Sequence, residues 1–137
     1  MRFWRSLRKK NEFHKVYDEG VKKVGRLLVV YLLPAEDTAR AVVASKKVGG
    51  AVQRNRAKRL LREAFRLGAL GTREGVDGIR SRLIPETLGD EAATRPAEGM
   101  WVVLVARRRI LEAGSREVRE ELDYLLGCPE GSPSRQD

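Results

Sequence analysis

The stretch Ala44–Leu67, ASKKVGGAVQRNRAKRLLREAFRL, decides how the rest of this sequence can fold. It leaves an apolar run, turns at Gly49 and Gly50, and continues with the periodicity of an amphipathic helix that ends near Gly68. At about 100° per residue, one arc of this helix is apolar. It consists of Ala57, Leu60, Leu61, Ala64 and Phe65. The sequence therefore predicts a helix with one buried face.

The other arc of the helix is almost entirely cationic. It carries Asn55, Lys58, Arg59, Arg62 and Arg66, with Arg54 and Arg56 flanking it at the entry turn. Glu63 is the only acid between Ser45 and Leu67. A face that is merely solvated mixes both signs of charge, which limits self-repulsion. This pattern indicates a surface that binds a polyanion.

Charge is unevenly distributed along the 137 residues, which suffice for one domain with a modest core. Residues 1–66 hold 18 Lys and Arg against 6 Asp and Glu, whereas residues 67–137 hold 10 against 13. The first half is therefore expected to meet nucleic acid or an anionic membrane. No apolar run approaches the roughly 20 residues that span a bilayer, so a membrane role would require a surface-lying helix. Cys128 is the only cysteine, which excludes a disulfide framework and makes the cytoplasm the default location.

The first third of the chain predicts a basic arm and a short helix. Residues 1–10 form the arm, and Lys10–Glu19 reads as the helix, with Asn11 as N-cap and Gly20 as its stop. Spacing by three and four places three side chains on one face of this helix. They are Phe13, Val16 and Tyr17.

Three apolar runs predict strands. Leu27–Leu33 is a buried strand closed by Pro34, and Arg40–Ser45 is expected to return antiparallel as its hairpin partner. Met100–Ala106 is the third strand. Alternation along the first strand separates two faces. One face carries Val29, Tyr31 and Leu33, and the other Leu28, Val30 and Leu32.

The second half predicts an insertion, a helix and a tail. Residues 68–99 contain six glycines and two prolines, and are interpreted as an inserted segment that is flexible or locally helical around Ile79–Ile84 and peripheral to the fold. Ser115 caps a last helix, whose inward side chains are Val118, Leu122, Leu125 and Leu126. We expect a single domain over residues 1–126, and a disordered tail over residues 127–137.

The sequence shows no catalytic constellation. His14 is the only histidine, so neither a multi-histidine metal site nor a catalytic triad backed by a second histidine can form. Gly49-Gly50 matches no phosphate-binding loop. The acids of the basic half lack the clustered spacing of a two-metal nuclease. We therefore assign no catalytic residue and no metal ligand.

Binding residues, in contrast, are abundant. The cations from Lys46 and Lys47 through Arg66 suit phosphate contacts, and Asn55 among them could donate to a phosphate or a 2′-hydroxyl. The aromatic rings of Phe13, Tyr17 and Tyr31 are candidates for stacking on unpaired bases. Three classes stay open on the residues alone: an RNA-binding subunit, a ribosomal or RNA-chaperone protein, and a metal-dependent nuclease.

The run KKVGGAVQRNRAKRLLREAFR resembles the signature of the bacterial ribonuclease P protein family, an RNR-x-KR run followed by R-E-x-F-R. LRKKNEFHKVYDEG is similar to the family's first helix, RLLVVYLLP to its first strand and WVVLVAR to its last. The resemblance covers residues 7–67 and 100–126. It implies a ribosomal-protein-like α+β fold, an α-β-β-α-β-α sandwich on a small mixed sheet. A left-handed β-α-β crossover around the RNR helix also follows from the family alone.

The resemblance also implies a function. In the family, the holoenzyme hydrolyses precursor tRNA to free its mature 5′ end, and the RNA subunit carries the chemistry and most of the Mg²⁺. A monomeric, cytoplasmic protein subunit without tightly bound cofactors assists it, and no membrane is involved. By position, the residues expected on the RNA-subunit face are Arg54, Asn55, Arg56, Lys58, Arg59 and Arg62, together with Lys46 and Lys47. The residues expected to hold the 5′ leader are Phe13, Tyr17 and Tyr31.

Two features depart from the family pattern. Residues 68–99 are longer than its usual connection, so contacts made by that connection do not transfer. Gly50 stands where the family often has a side chain that could meet RNA, which predicts a looser entry turn.

Overall fold

The computed structural model describes residues 4–83 and 99–127, which form one mixed sheet with helices on both faces. Within these ranges, the strands are β1 (Arg5–Ser6), β2 (Val21–Val24), β3 (Leu28–Ala35), β4 (Ala39–Val43) and β5 (Gly99–Ala106). The helices are α1 (Lys10–Glu19), α2 (Ala51–Leu67), α3 (Arg73–Leu83) and α4 (Ser115–Leu125). The predicted α+β class is confirmed, and so are the helix Lys10–Glu19 and the third strand.

Strand β5 lies at the centre of the sheet, whose order is β1-β4-β5-β3-β2. It pairs antiparallel with β3 along its full length, from Leu28 opposite Ala106 to Ala35 opposite Gly99, and parallel with β4. The predicted hairpin between Leu27–Leu33 and Arg40–Ser45 is therefore wrong. The β3–β4 link instead crosses the start of β5, where a Cβ atom on Gly99 would overlap the backbone of Asp37. Glycine at this position permits the crossing.

Helices α2 and α3 lie in the connection between the parallel strands β4 and β5. The left-handedness of this connection stays a prediction from the family resemblance.

The two faces of the sheet bury different amounts of side chain. Leu28, Val30 and Leu32 point into the main core beneath α2, α3 and α4, as their alternation predicts. A smaller core lies on the opposite face beneath α1. Its buried members are Leu7, Val16, Leu33, Ala39 and Val103. The sheet therefore has one fully covered face and one that a single ten-residue helix covers.

The N-caps of α1 and α4 are not the predicted residues Asn11 and Ser115; in each helix a glutamate of the first turn accepts the free N–H groups instead. Asn11 is not the N-cap of α1, because Glu12 accepts the backbone N–H groups of Arg8 and Lys9 at 3.1 and 3.2 Å. Ser115 is the first residue of α4, where Glu117 accepts the N–H of Gly114 at 2.8 Å. An acid at this position satisfies the free N–H groups of the helix start, and its charge suits the helix dipole.

The segment after α2 is integrated into the core as far as the structure describes it. Residues Ala69–Gly71 form a 3-10 turn and α3 follows directly. Leu70, Val76 and Ile79 are buried in the main core. The prediction of a peripheral segment is therefore wrong for residues 69–83. Their three buried apolar side chains are widely spaced in the sequence and give little periodic signal. Residues 84–98 and the predicted tail from 128 lie outside the described residues.

The sequence interpretation missed β1 and β2, two short edge strands. Strand β1, part of the predicted basic arm, pairs parallel with β4. A polar network holds it there: Arg5 Nε lies 2.6 Å from Asp37 Oδ2, and Arg5 Nη2 lies 3.2 Å from Glu12 Oε2. Trp101 Nε1 also donates to Asp37 Oδ1 at 2.8 Å. The arm is thereby joined to the β3–β4 link and to α1.

We predict that Ile79→Ala destabilises the protein by about 2–5 kcal/mol, because it leaves a cavity where α3 meets the core. Val52, 78% exposed on α2, offers a matched apolar truncation outside the core. Val52→Ala should change the free energy of unfolding by less than about 0.5 kcal/mol. Urea unfolding measures both variants. Equal, small effects would contradict the packing of α3.

The Arg5 network predicts a loss of stability in acid. The hydrogen bond from Arg5 is the main cause that lowers the pKa of Asp37, followed by the bond from Trp101. A carboxyl with a lowered folded-state pKa contributes stability above its unfolded pKa of about 3.9, and loses it as pH falls through the folded value. Arg5→Gln should therefore flatten the decline in unfolding free energy between pH 5 and pH 3.

The control for this measurement is Arg116→Gln, which removes one positive charge from an exposed ion pair with Glu120 on α4. If Arg5→Gln and Arg116→Gln showed the same decline in acid, the account of the Arg5 network would be wrong.

Candidate nucleic-acid interface

Helix α2 divides its side chains as the sequence predicts. Its buried residues are Ala57, Leu60, Leu61, Ala64 and Phe65, the five of the predicted apolar arc. Exposed on the outside are Asn55, Arg56, Arg59, Arg62 and Arg66, while Arg54 and Lys58 are partly exposed. The structure thus gathers the predicted RNA-subunit residues of the helix on one cationic surface, which we call the α2 face.

The entry turn of α2 is held by local hydrogen bonds. Gly50 donates its N–H to Gln53 Oε1 at 3.0 Å, and Arg54 Nη1 donates to the carbonyl of Gly49 at 3.2 Å. Gly49 has a φ of 150°, which favours glycine. Gly50, where the family often has a side chain, therefore lies in a turn whose backbone is held by the side chains of Gln53 and Arg54.

The predicted lysines lie beside this turn. Lys46 and Lys47 are exposed between the end of β4 and the start of α2. The N–H of Lys47 donates to Ser45 Oγ at 3.2 Å, and buried Val48 anchors the turn to the core. Both ammonium groups thus extend the positive charge of the α2 face toward the sheet.

The three predicted aromatic residues come together on the other face of the sheet. The ring centroids of Phe13 and Tyr17 are 6.2 Å apart, and those of Tyr17 and Tyr31 are 4.8 Å apart at 67°. Tyr17 is 38% exposed. Lys22 Nζ lies 5.8 Å from the centroid of the Tyr31 ring. The structure therefore forms an aromatic row with a cation at one end.

The surroundings leave this row open to a ligand. Ala41, Val43 and Val105 are only partly buried and belong to the same apolar cluster. Burial, and secondly Tyr31, raises the pKa of Tyr17 above its ordinary value. A partly apolar strip with exposed rings suits bases that are not paired in a duplex.

Sequence reasoning missed several cations near these surfaces. Lys22 lies on the unpredicted strand β2, and Arg40 lies on β4 between the two cores. An arginine cluster also lines a cavity of about 610 Å³ with Glu112 at the end of β5. Its members are Arg26, Arg107, Arg108 and Arg109. The Arg107–Arg109 run is visible in the sequence, whereas Lys22 and Arg40 give no periodic signal.

Neither a metal centre nor a membrane span emerges from the part of the chain that the structure covers. In residues 4–83 and 99–127, no group of three or more His, Cys, Asp or Glu side chains is placed to hold a metal ion. His14 is exposed on α1. No helix in these ranges is long and apolar enough to cross a bilayer.

A cationic helix on one face of a mixed sheet and partly exposed aromatics on the other define a small, basic α+β protein that binds nucleic acid. Comparison with known proteins identifies the family. A family model described as "Ribonuclease P" matches residues 1–81. The chain belongs to the ribonuclease P protein family.

Relatives support this assignment over most of the chain. The ribonuclease P protein component of Caldanaerobacter subterraneus subsp. tengcongensis is 34% identical over 122 residues, covering 88% of this chain and 84% of the relative. That of Alkaliphilus oremlandii is 30% identical over 122 residues, covering 88% and 86%.

Solved structures share the fold. The RNase P protein from Thermotoga maritima superposes with a TM-score of 0.58 at 24% identity, covering 88% of this chain and 94% of that one. The Staphylococcus aureus RNase P protein gives 0.57 at 20% identity, covering 89% and 92%. These likenesses confirm the predicted fold class.

Proposed function

We propose that this protein is the protein subunit of ribonuclease P and assists removal of the 5′ leader from precursor tRNA. The observation that carries the proposal is the α2 face in a chain of this family. Arg54, Asn55 and Arg56 begin an exposed cationic row on a helix whose opposite face is buried. Such a helix is fixed by its core and so presents its charges in a constant geometry.

The α2 face is assigned to the RNA subunit. Neutralising phosphates with Lys and Arg releases counterions, which favours binding and makes it depend on salt. Arginine adds a planar fork that binds two phosphate oxygens. Few acids oppose this surface, since Glu63 is the only acid of α2. The surface therefore suits a folded RNA with closely spaced phosphates.

The aromatic row is assigned to the 5′ leader. A leader is single-stranded, so its bases are free to stack on Tyr17 and its neighbours. Lys22 beside Tyr31 places a cation where the strand's phosphates would pass. This assignment gives the protein a means to distinguish precursor from mature tRNA, because only the precursor carries the leader.

Catalysis is assigned to the RNA subunit. Mg²⁺, held mainly by that RNA, would supply the charge stabilisation of phosphodiester hydrolysis. The α2 face and the aromatic row consist of cationic and aromatic side chains, which suit binding and orienting RNA. The same proposal makes the protein a monomer within a cytoplasmic holoenzyme.

A ribosomal or RNA-chaperone role, which the residues alone leave open, is not favoured. The curated relatives that match this chain carry the name ribonuclease P protein component.

The leader assignment predicts that Tyr17→Ala selectively weakens binding of precursor tRNA by the reconstituted holoenzyme. Loss of one base-stacking contact is worth about 1–3 kcal/mol, or roughly 5- to 150-fold in affinity. Affinity for mature tRNA should stay within about twofold, because it has no leader to stack. Equilibrium binding with the RNA subunit present measures both affinities.

Two control variants sharpen this test. Tyr17→Phe keeps the ring and should retain most of the discrimination. Tyr124→Ala removes an exposed tyrosine from α4, on the other side of the sheet. If Tyr17→Ala weakened precursor and mature tRNA equally, the ring would have a structural role and the leader assignment would fail.

A further inference from the structure

Arg40 is a half-buried cation that none of the sites above uses. It lies on β4, opposite Ser6 of β1 and Val102 of β5. Its guanidinium carbon is 4.8 Å from the centroid of the Phe65 ring, in the buried face of α2. Stacking on an aromatic ring fixes the plane of a guanidinium group and leaves its N–H donors free at the edge.

The electrostatic surroundings of Arg40 are unfavourable without a ligand. Burial is the main cause that lowers its pKa, and the charge of Arg62 is the second. Arg5, which precedes the Ser6 opposite Arg40 on the neighbouring strand, has two carboxylate partners. Among the described residues, no carboxylate forms an ion pair with Arg40 or Arg62. Two neighbouring guanidinium groups that have no carboxylate ion-pair partner are stabilised by a bound anion.

Two clefts meet at this arginine pair, and each has a volume of about 260 Å³. One cleft continues from the pair toward Arg8 and Phe13. The other continues toward Arg59, Arg66 and the ring of Trp4, with Glu63 as the acid in its lining. Arg40 and Arg62 line both clefts, so the pair lies in the middle of a continuous cationic path.

We propose that Arg40 and Arg62 together hold one backbone phosphate of the ribonuclease P RNA, whose strand continues into the two clefts. This inference rests on the proposed function, because it names a contact within the same protein–RNA complex. Two arginine forks converging on one phosphate give a charge-assisted site with defined geometry. A path that extends to both sides fits a polynucleotide better than a free anion, which would occupy only the centre.

The test is the salt dependence of RNA-subunit binding by Arg40→Met. Methionine keeps an apolar stem against Phe65 and removes the charge. Affinity should fall about tenfold, as expected for a hydrogen bond to a charged group. The slope of log K against log salt should become shallower by about 0.7–0.9, the value of one phosphate contact. The melting temperature should stay the same or rise, since a desolvated charge is removed.

Control variants separate this inference from the proposed function. Arg116→Met makes the same substitution on exposed α4 and should leave affinity unchanged. Arg54→Met with Arg56→Met tests the α2 face by itself. If the unaltered protein failed to bind the RNA subunit, the proposed function would be wrong. If the Arg54/Arg56 variant weakened binding while Arg40→Met did not, only the phosphate site would be wrong.

A free anion is the competing ligand for this pair. Inorganic phosphate, compared with chloride at equal ionic strength, should raise the melting temperature little at millimolar concentration. Strong stabilisation by phosphate, lost in Arg40→Met without any change in RNA affinity, would assign the site to a small anion and overturn the proposal. If Arg40→Met failed to fold, exposed Arg62→Met would carry the same salt-slope test.

Discussion

Phe65 and Leu61 of α2 pack into the main core and hold the cationic helix against the sheet. Both side chains are almost completely buried, and they fix a helix whose outer face is so cationic that it repels itself. Phe65 also contacts Trp4 edge-on at 4.8 Å and carries Arg40 on its ring. One buried residue thus links the core, the N-terminal arm and the partly exposed cation Arg40.

The two surfaces proposed to bind RNA lie on opposite faces of the sheet, which the helices cover unequally. Three helices close one face, and α2 among them turns its cations outward. Helix α1 alone covers the other face, where Tyr17 and Tyr31 stay accessible beside partly buried strand residues. The cations of the α2 face and the rings of Tyr17 and Tyr31 therefore lie on opposite faces of the sheet, whereas Phe13 also lines the cleft at Arg40 and Arg62.

The two arcs of α2, the alternation of β3 and the shared face of Phe13 and Tyr17 were predicted correctly, because each follows from the local periodicity of the sequence. Strand order was not predictable in this way, because it depends on β5 inserting between β3 and β4 from about 60 residues away. The close approach of Asp37 to Gly99 marks where the β3–β4 link crosses β5. Arg40 was missed because one arginine in an apolar strand has no pattern. The roles of the site residues came from the family resemblance, since charge alone indicates only a polyanion.

Docking of the α2 face onto the ribonuclease P RNA, as proposed, is tested by precursor tRNA cleavage with the cognate RNA across a range of Mg²⁺ concentrations. We expect the protein to lower the Mg²⁺ requirement. A variant with Arg54, Arg56 and Arg59 changed to Gln should not lower it, and the protein alone should cleave nothing. Cleavage by the protein without RNA, or full assistance from the triple variant, would contradict it.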